Sequence, residues 1–210
     1  MLRTWLRISP LPALLLALMT STPSSVAQDA GTVNWPTYHS NAQLTGFNPR
    51  ETLVNARNVR FLQMKWAGVM DDLVDYSSPA IVNGVVYIGS TDGSLYAFDA
   101  TGCGSDLCMP LWKGSGKAGG SIVSSPAVSQ GMVFVGSTTK ELLVFDAAGC
   151  GSAICSPVWT GTVGGGILQA SPVVVNGVVR DYHLHARWYT RWLCVFPSQS
   201  DSLQFLVPSL

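Results

Sequence analysis

The sequence predicts an all-β protein, an incomplete β-propeller made of four-stranded antiparallel blades. The first observation is an internal repeat with a period of 46–47 residues, which is typical of one propeller blade. The second is a pair of turn signals, Asn83-Gly84 and Asp92-Gly93, between apolar runs of the first repeat; such dipeptides are typical of β-hairpins. The third is composition, because the 210 residues include 21 glycines and only 11% charged residues, against a usual ~25%.

The repeat is visible in groups of residues that keep their spacing along the chain. The groups are residues 77–80 (Ser-Ser-Pro-Ala), which return at 124–127 and 170–173; residues 84–90, which return at 131–137; and residues 95–100, which return at 142–147. Trp66, Trp112 and Trp159 follow the same spacing. A β-sandwich also has short strands joined by tight turns, but it does not require one sequence to return every 47 residues. The repeat therefore favours a propeller.

One period contains four short apolar runs, each long enough for one strand of a blade. This divides the chain into a leading segment with a first strand (28–76), two blades (77–123 and 124–169) and the start of a third blade (170–179). A closed propeller typically has 4–8 blades, so we expect this chain to be a piece of a larger propeller. We also expect other protein chains to cover its open blade edges, because unpaired strand edges aggregate.

Residues 1–27 are predicted to be a cleavable signal peptide. Arg3 and Arg7 precede the apolar residues 11–19, and small residues end at Ala27, which is the order of a Sec-type signal. A membrane anchor is disfavoured, because the apolar run is about half of the ~20 residues that span a bilayer. We therefore expect a secreted or periplasmic protein with no transmembrane segment after cleavage. Residues 28–179 carry seven basic and ten acidic side chains, which argues against a nucleic-acid partner.

The repeat resembles that of the pyrroloquinoline-quinone (PQQ) type of β-propeller. The likeness is carried by Ala97-x-Asp99-Ala100-x-Gly102 followed by Trp112, which is similar to that family's tryptophan-docking motif. In the motif, the tryptophan of one blade packs against a neighbouring blade. By position, the resemblance assigns blade docking to Trp66, Trp112, Trp159, Asp99, Asp146, Gly102 and Gly149. The second copy departs from the motif at Val144, where the motif has alanine.

The resemblance implies two kinds of function. The family includes quinone-dependent alcohol and sugar dehydrogenases, and also non-catalytic propellers such as an outer-membrane assembly scaffold. Its dehydrogenases carry adjacent cysteines beside the quinone, whereas this sequence has no Cys-Cys. We therefore favour a non-catalytic binding or scaffold module without catalytic residues. The alternative is a piece of a PQQ-dependent dehydrogenase, and PQQ and calcium are implied as cofactors by the resemblance alone.

Two pairs of cysteines occupy the loop after the third strand of each blade. Cys103 and Cys108 recur as Cys150 and Cys155. In an exported chain this spacing predicts one disulfide within each loop. The alternative is a four-cysteine zinc site, which requires the two loops to converge.

Two other groups of residues have both a ligand-binding and a structural interpretation. The three aspartates of residues 71–75 could ligate calcium, but such a run is more typical of a solvated loop. Trp35, Tyr38 and Phe47 could line a ligand groove, and packing of the leading segment over a blade is the favoured interpretation. His39 is the single histidine before residue 180, so the repeats offer no histidine pair for catalysis.

The repeat stops matching after Val179, where the composition changes to arginine, histidine and tryptophan. Reading the codons of residues 187–189 one base later is compatible with Asp-Gly, and residues 193–195 become compatible with Tyr-Ala-Phe. Both are signatures of a blade. The hypothesis is a frameshift near Val179, which makes Cys194 an accident of the shift.

The frameshift predicts that residues 180–210 form an aberrant tail without regular structure. Trp188, Trp192 and Phe196 lie in this tail without a period of two or 3.6 residues that would bury them on one face. The alternative is a divergent native tail in which His183 and His185 bind a metal, but one His-x-His pair is a weak metal signal.

Overall fold

The computed structural model describes residues 33–116, 120–162, 171–175, 177–182, 193–195 and 204–206. The strands in these residues are β1 (Ala67–Gly68), β2 (Ala80–Val82), β3 (Val85–Gly89), β4 (Ser94–Asp99), β5 (Leu107–Cys108), β6 (Trp112–Ser115), β7 (Ala127–Ser129), β8 (Met132–Gly136), β9 (Glu141–Asp146), β10 (Ile154–Cys155), β11 (Trp159–Thr162), β12 (Ser171–Val175), β13 (Val178–Tyr182), β14 (Leu193–Val195) and β15 (Gln204–Leu206). One 3₁₀-helix, Val59–Phe61, precedes them, and the described residues contain no α-helix. The all-β prediction is confirmed.

Three four-stranded antiparallel meanders follow one another along the chain. Blade 1 consists of β2, β3, β4 and β6; blade 2 of β7, β8, β9 and β11; and blade 3 of β12 to β15. The first hairpin of blade 1 turns at Asn83 and Gly84, which have φ values of 51° and 77°. Two successive positive φ values match the right-handed twist of the paired strands. The predicted four-stranded blades are confirmed.

Blades 1 and 2 share one apolar core. Its buried members come from both blades, from the connection between them and from a disulfide loop: Tyr87, Leu95, Ala97, Trp112, Ile122, Val133, Val135, Leu143, Phe145 and Cys155. Residues 142–145 of β9 are buried in succession, so both faces of this strand pack against protein. This explains why β9 is a continuous apolar run rather than an alternating one.

The first strand of each blade lies at the inner end of its sheet. The strands β2, β7 and β12 are end strands of three separate sheets, and β7 contacts both β2 and β12. The inner strands of successive blades therefore lie side by side, as they do around the axis of a propeller.

A fifth strand lies on the outer side of blade 1. The two-residue strand β10 pairs in parallel with β6, although β10 belongs to the loop after the third strand of blade 2. The same pairing joins β5 of blade 1 to β1. Each of these loops thus extends the sheet that precedes its own blade.

The prediction that residues 180–210 lack regular structure is wrong at three short stretches. Strand β13 continues to Tyr182, and β14 and β15 complete a four-stranded sheet. A free strand edge offers unpaired N–H and C=O groups to any extended segment, and this pairing needs no side-chain period. His183 and His185, like the predicted signal peptide, lie outside the described residues. No helix in the described part of the chain is long and apolar enough to cross a membrane.

Candidate functional site: the contacts between blades

Two of the three docking tryptophans, Trp66 and Trp112, each lie against a glycine of the following blade. A Cβ atom built on Gly102 would lie 2.7 Å from Cδ1 of Trp66, and one on Gly149 would lie 2.7 Å from Cδ1 of Trp112. Both glycines have positive φ, 85° and 82°, a conformation that other residues adopt at a cost. These positions therefore require glycine for two reasons: the backbone has a positive φ, and a Cβ atom would clash with the indole ring.

Asp99 and Asp146 shape the turns that carry these glycines. The Oδ1 atom of Asp99 accepts a hydrogen bond from the backbone N–H of Thr101 at 2.8 Å, and the N–H of Gly102 donates to the carbonyl of Asp99 at 3.0 Å. The turn at Asp146 has the same two bonds, with lengths of 2.8 and 3.0 Å. Hydrogen bonds from Thr101 hold the pKa of Asp99 below its usual value. The aspartates thus position the glycines and are themselves exposed.

A second aromatic contact repeats beside the first and was not predicted from the sequence. A Cβ on Gly68 would lie 2.7 Å from Cζ of Phe98, and one on Gly114 would lie 2.7 Å from Cε1 of Phe145. The Trp66–Phe98 ring centroids are 6.0 Å apart, within the range of favourable aromatic pairs. The sequence signal for this contact is a Trp-x-Gly spacing, which is present at all three docking tryptophans.

Trp159 occupies the same position in blade 2 as Trp112 does in blade 1. It is half-buried and packs against a core cluster that includes Phe134 and Val144 of blade 2 and Val179 of blade 3. By the repeat, its glycine partner would lie after residue 182, where the sequence has left the blade pattern.

A ladder of serines links the inner ends of the blades. The Ser77 hydroxyl donates to the carbonyl of Ser124 at 3.0 Å, and the N–H of Ser78 donates to Oγ of Ser125 at 2.9 Å. The next step repeats the second bond, because the N–H of Ser125 donates to Oγ of Ser171 at 3.2 Å. The hydroxyls of Ser77, Ser125 and Ser171 thus join successive blades, which explains part of the repeated Ser-Ser-Pro motif.

The structure joins Cys103 to Cys108 and Cys150 to Cys155, with Cα atoms 5.6 Å apart in each pair. The second cysteine of each pair is buried and lies in β5 or β10. Each disulfide therefore closes the loop that pairs with the preceding outer strand. The four sulfur atoms are used in two separate bonds, which leaves no thiolates for the alternative zinc site.

A polar cluster lies where the loop after β1 meets blade 1. The Lys113 ammonium contacts Asp71 Oδ2 at 2.5 Å and Asp92 Oδ2 at 2.9 Å. The Tyr96 hydroxyl donates to Asp92 Oδ2 at 2.6 Å and accepts from the backbone N–H of Asp71 at 3.0 Å. Tyr96 is 2% exposed. These four residues form the loop clamp, which holds the connection at Asp71 on blade 1.

The loop clamp shifts the pKa values of its members so that Lys113 and Asp92 stay charged. Burial raises the pKa of Asp92, but hydrogen bonds from Tyr96 and Lys113 outweigh burial and hold this pKa below its usual value. Burial lowers the pKa of Lys113, but its bonds to Asp71 and Asp92 reverse the effect and raise this pKa overall. Burial and the bond to Asp92 raise the pKa of Tyr96, so its hydroxyl remains a donor.

The acidic run at residues 71–75 does not provide a fitting calcium site. The Asp71 and Asp92 carboxylates meet at the Lys113 ammonium, which already supplies a positive charge. The carboxylate of Asp72 accepts the N–H of Leu73 at 2.8 Å. Within the described ranges, no three His, Cys, Asp or Glu side chains are grouped to hold a metal.

The leading segment packs over a blade at one of its three predicted aromatic residues. Trp35 forms an antiparallel bridge with Ile81 of β2 and is half-buried. The Tyr38 ring lies against that of His39, with ring centroids 4.1 Å apart and the planes tilted by 31°. Phe47 is 66% exposed. The three aromatic side chains therefore have three different environments.

Comparisons with known proteins agree with this architecture. No protein-family model and no curated protein matches the chain. Among solved structures, it is similar to the quinohemoprotein alcohol dehydrogenase from Comamonas testosteroni, with a TM-score of 0.55 and 21% identity over 81% of this chain and 28% of that one. A europium-containing methanol dehydrogenase has a TM-score of 0.56 and 16% identity, over 80% of this chain and 30% of that one.

A further similar structure is the quinohemoprotein alcohol dehydrogenase ADHIIG from Pseudomonas putida HK5. Its TM-score is 0.53 and its identity 21%, over 83% of this chain and 27% of that one. The chain spans less than a third of the length of each of these three proteins. Their likeness defines the fold of this chain, which is that of part of a quinoprotein-dehydrogenase β-propeller.

Proposed function

We propose that this chain is an exported, non-catalytic binding or scaffold module and a piece of a larger PQQ-like β-propeller. One observation carries the proposal: the side chains that return in each blade contact the next blade. Trp112 lies on Gly149, Phe145 lies on Gly114, and Ser77 bonds to the next serine pair. The repeated chemistry thus builds and joins blades.

Strand β1, which pairs on one edge only, supports the proposal that the chain is a piece of a larger propeller. In blade 1, the counterpart β6 pairs with β4 on one edge and with β10 on the other. In the described residues, β1 pairs with β5 alone. Residues 33–66 contain no strand that could stand where β4 stands. Three strands from another segment would therefore complete a blade at β1.

The proposed frameshift near Val179 explains why the blade sequence ends within blade 3. Its test is the coding DNA after codon 179. Restoring one reading frame is expected to give Asp-Gly, Tyr-Ala-Phe and further Ser-Pro and Trp anchors at the period of the repeat. A stop codon reached at once, with none of these anchors, contradicts the frameshift.

Export is supported by the two loop disulfides, because disulfides persist in oxidising compartments. Expression of the full chain in a bacterium with a Sec pathway tests it. The expected product is periplasmic or secreted and begins at Gln28. Retention of residues 1–27 on a cytoplasmic product contradicts the proposal.

The alternative function is a piece of a PQQ-dependent dehydrogenase with PQQ and calcium as cofactors. It is favoured by the fold, since similar structures include two quinohemoprotein alcohol dehydrogenases. The carboxylates that meet in the loop clamp do not fit calcium, so the cofactor ligands in this alternative would come from other blades.

A titration with PQQ, with and without calcium, distinguishes the two functions when it uses the exported protein translated from the restored reading frame, which includes the further blades. Tryptophan fluorescence reports binding, and reduction of an electron-accepting dye with ethanol or glucose reports catalysis. The scaffold proposal predicts no saturable fluorescence change and no dye reduction. Saturable PQQ binding together with dye reduction supports the dehydrogenase and contradicts the proposal.

A further inference from the structure

The inner edges of the three blades carry a segment of the chain itself. The strands β2, β7 and β12 end their sheets on the inner side, so one edge of each has no strand of its own blade beside it. Unpaired N–H and C=O groups along such an edge are available to an extended peptide. Residues 34–37 lie along these edges.

Three consecutive residues of this segment contact three consecutive blades. Trp35 pairs with Ile81 of blade 1 through two backbone hydrogen bonds, of 2.6 and 2.9 Å. The Pro36 carbonyl accepts the N–H of Val128 of blade 2 at 2.7 Å. The Thr37 hydroxyl donates to the carbonyl of Pro172 of blade 3 at 3.2 Å, and Thr37 is 7% exposed. The contacts advance by one blade with each residue.

The sequence of this segment suits the path. Proline has no N–H group, so at residue 36 it leaves no donor unpaired and uses its carbonyl on Val128. Proline also favours an extended conformation at the preceding residue, and Trp35 needs that conformation to bridge Ile81. At the start of the segment, the Asn34 side chain accepts the N–H of Asn83 at 3.0 Å.

The chain turns away immediately after Thr37. The carbonyl of His39 accepts the N–H groups of Asn41 and Gly46, at 3.0 and 2.9 Å. Asn41 Oδ1 accepts the N–H of Thr45 at 3.2 Å. This loop bonds to itself, and among residues 33–46 the hydrogen bonds to the three blades come from residues 34–37.

We propose that the inner edges of blades 1, 2 and 3 form one binding surface for an extended peptide, and that residues 34–37 occupy it as an axial strap. The surface pairs with the backbone of residue 35 at blade 1 and donates the Val128 N–H to the carbonyl of residue 36 at blade 2. At blade 3 its Pro172 carbonyl accepts the hydroxyl of residue 37. An extended peptide of this kind supplied in trans must compete with the strap. The proposal is independent of whether the propeller is catalytic.

A cut in the chain converts the strap into a separate peptide and tests the surface directly. A protease recognition sequence is inserted after Leu53, which is 79% exposed, and the folded mature chain is cleaved there. The expected result is that the released N-terminal peptide co-elutes with the remainder in gel filtration. A fluorescent synthetic peptide of residues 33–40 is expected to bind only as it displaces the cut peptide. Immediate separation of the cut peptide, with the thermal stability of the remainder unchanged, overturns the proposal.

Thr37→Val supplies the matched variant, because valine keeps the shape of threonine and removes the hydroxyl. Loss of one buried hydrogen bond predicts a roughly fivefold to tenfold faster release of the cut peptide. Thr45→Val is the control, since Thr45 is exposed and bonds only within the loop at Asn41. Equal release rates for the two variants overturn the proposal.

If the cleaved protein unfolds, amide hydrogen exchange in the uncut chain tests the same contacts. The strap covers the N–H groups of Ile81 and Val128. Thr37→Val is expected to speed exchange at both groups relative to Thr45→Val. Unchanged exchange at Val128 contradicts a strap that crosses blade 2.

Discussion

Two blade junctions, that of β1 with blade 1 (the first) and that of blade 1 with blade 2 (the second), use the same docking contacts but bury their connections differently. At the junction of blades 1 and 2, Ile122 of the connection is 0% exposed and lies against Gly89. The next residue, Val123, is 7% exposed. Its counterpart in the repeat at the first junction is Tyr76, which is 66% exposed. Within the described residues, the first junction has β1 in place of a whole preceding blade. The docking contacts therefore form without that blade, whereas burial of the connection at the second junction uses β3 of the preceding blade, where Gly89 lies against Ile122.

The loop clamp marks the second difference. Tyr96 stands where blade 2 has Leu143, and Lys113 stands where blade 2 has Thr160. At the first junction these polar groups bind the connection through Asp71. At the second junction Ile122 of the connection packs in the apolar core, and its N–H donates to the carbonyl of Ser90 at 2.9 Å. Among the described residues, the difference is therefore the ion pairs of the first junction against the apolar packing of the second.

The largest expected effect is at the glycine under Trp112. Gly149→Ala places a Cβ 2.7 Å from the indole and strains a backbone with φ of 82°, so we expect a loss of about 3–5 kcal/mol in the free energy of unfolding. Gly151→Ala is the control, because Gly151 has φ of 76° and no atom within 4 Å of an added Cβ. Equal losses in urea unfolding would show that the indole contact contributes nothing.

The second largest expected effect is a difference in unfolding free energy between variants of the two connections, the one before blade 2 and the one before blade 1. Ile122→Ala removes a buried side chain and is expected to cost about 2–5 kcal/mol. Tyr76→Ala, at the exposed connection, is expected to stay within about 0.5 kcal/mol of the parent chain. Thermal or urea unfolding of both variants measures the difference. A large loss with Tyr76→Ala contradicts an open first junction.

The disulfides give a smaller effect at both junctions. Replacing Cys103 and Cys108, or Cys150 and Cys155, with serine pairs is expected to cost about 2–3 kcal/mol, because each bond closes a short loop. Urea unfolding measures the loss, and limited proteolysis reports whether the β5 or β10 loop opens. A chain whose unfolding is unchanged after reduction excludes a structural role for both loops.

The smallest effect is a pH dependence specific to the first junction. The folded-state pKa of Asp92 is lowered, so its contribution is present above its unfolded pKa and is lost as pH falls below about 4, through the folded value. We expect this loss to be about 1 kcal/mol or less, since the clamp is partly open to solvent. Lys113→Thr, which installs the blade 2 residue, is expected to reduce it and to leave the part that comes from the Tyr96 hydrogen bond. Lys65→Thr, at an exposed position, is the control, and an identical pH profile for both variants contradicts the clamp.

The period of the sequence was enough to predict the blades, because strand, turn and tryptophan positions return in register. The Trp112–Gly149 contact could be assigned from a motif, since both residues lie at fixed positions in it. The Phe145–Gly114 contact could not be predicted in this way. It depends on how the sheets of two blades pack against each other, and the periodicity within one strand does not encode this packing. The parallel pairing of β10 with β6 is absent from the pattern for the same reason.

The remaining differences come from partners that are distant in sequence. Asp71 looks like part of a solvated acidic run until Lys113, 42 residues away, is placed beside it. The strap joins Thr37 to Pro172 across 135 residues. In the tail, β14 joins its sheet through backbone pairing with β13 and β15. Backbone pairing needs no amphipathic period, so the lack of such a period was not a reason to expect an absence of strands.

The contact between Trp112 and Gly149 tests the central claim, that successive repeats are blades docked by tryptophan on glycine. A nuclear Overhauser experiment on the labelled exported chain measures the cross-peak between the indole Hδ1 of Trp112 and the Hα protons of Gly149. The structure predicts a strong cross-peak, matched by one between Trp66 and Gly102. A folded chain that shows neither cross-peak, with the Trp112 indole accessible to iodide quenching, would contradict the docked blades.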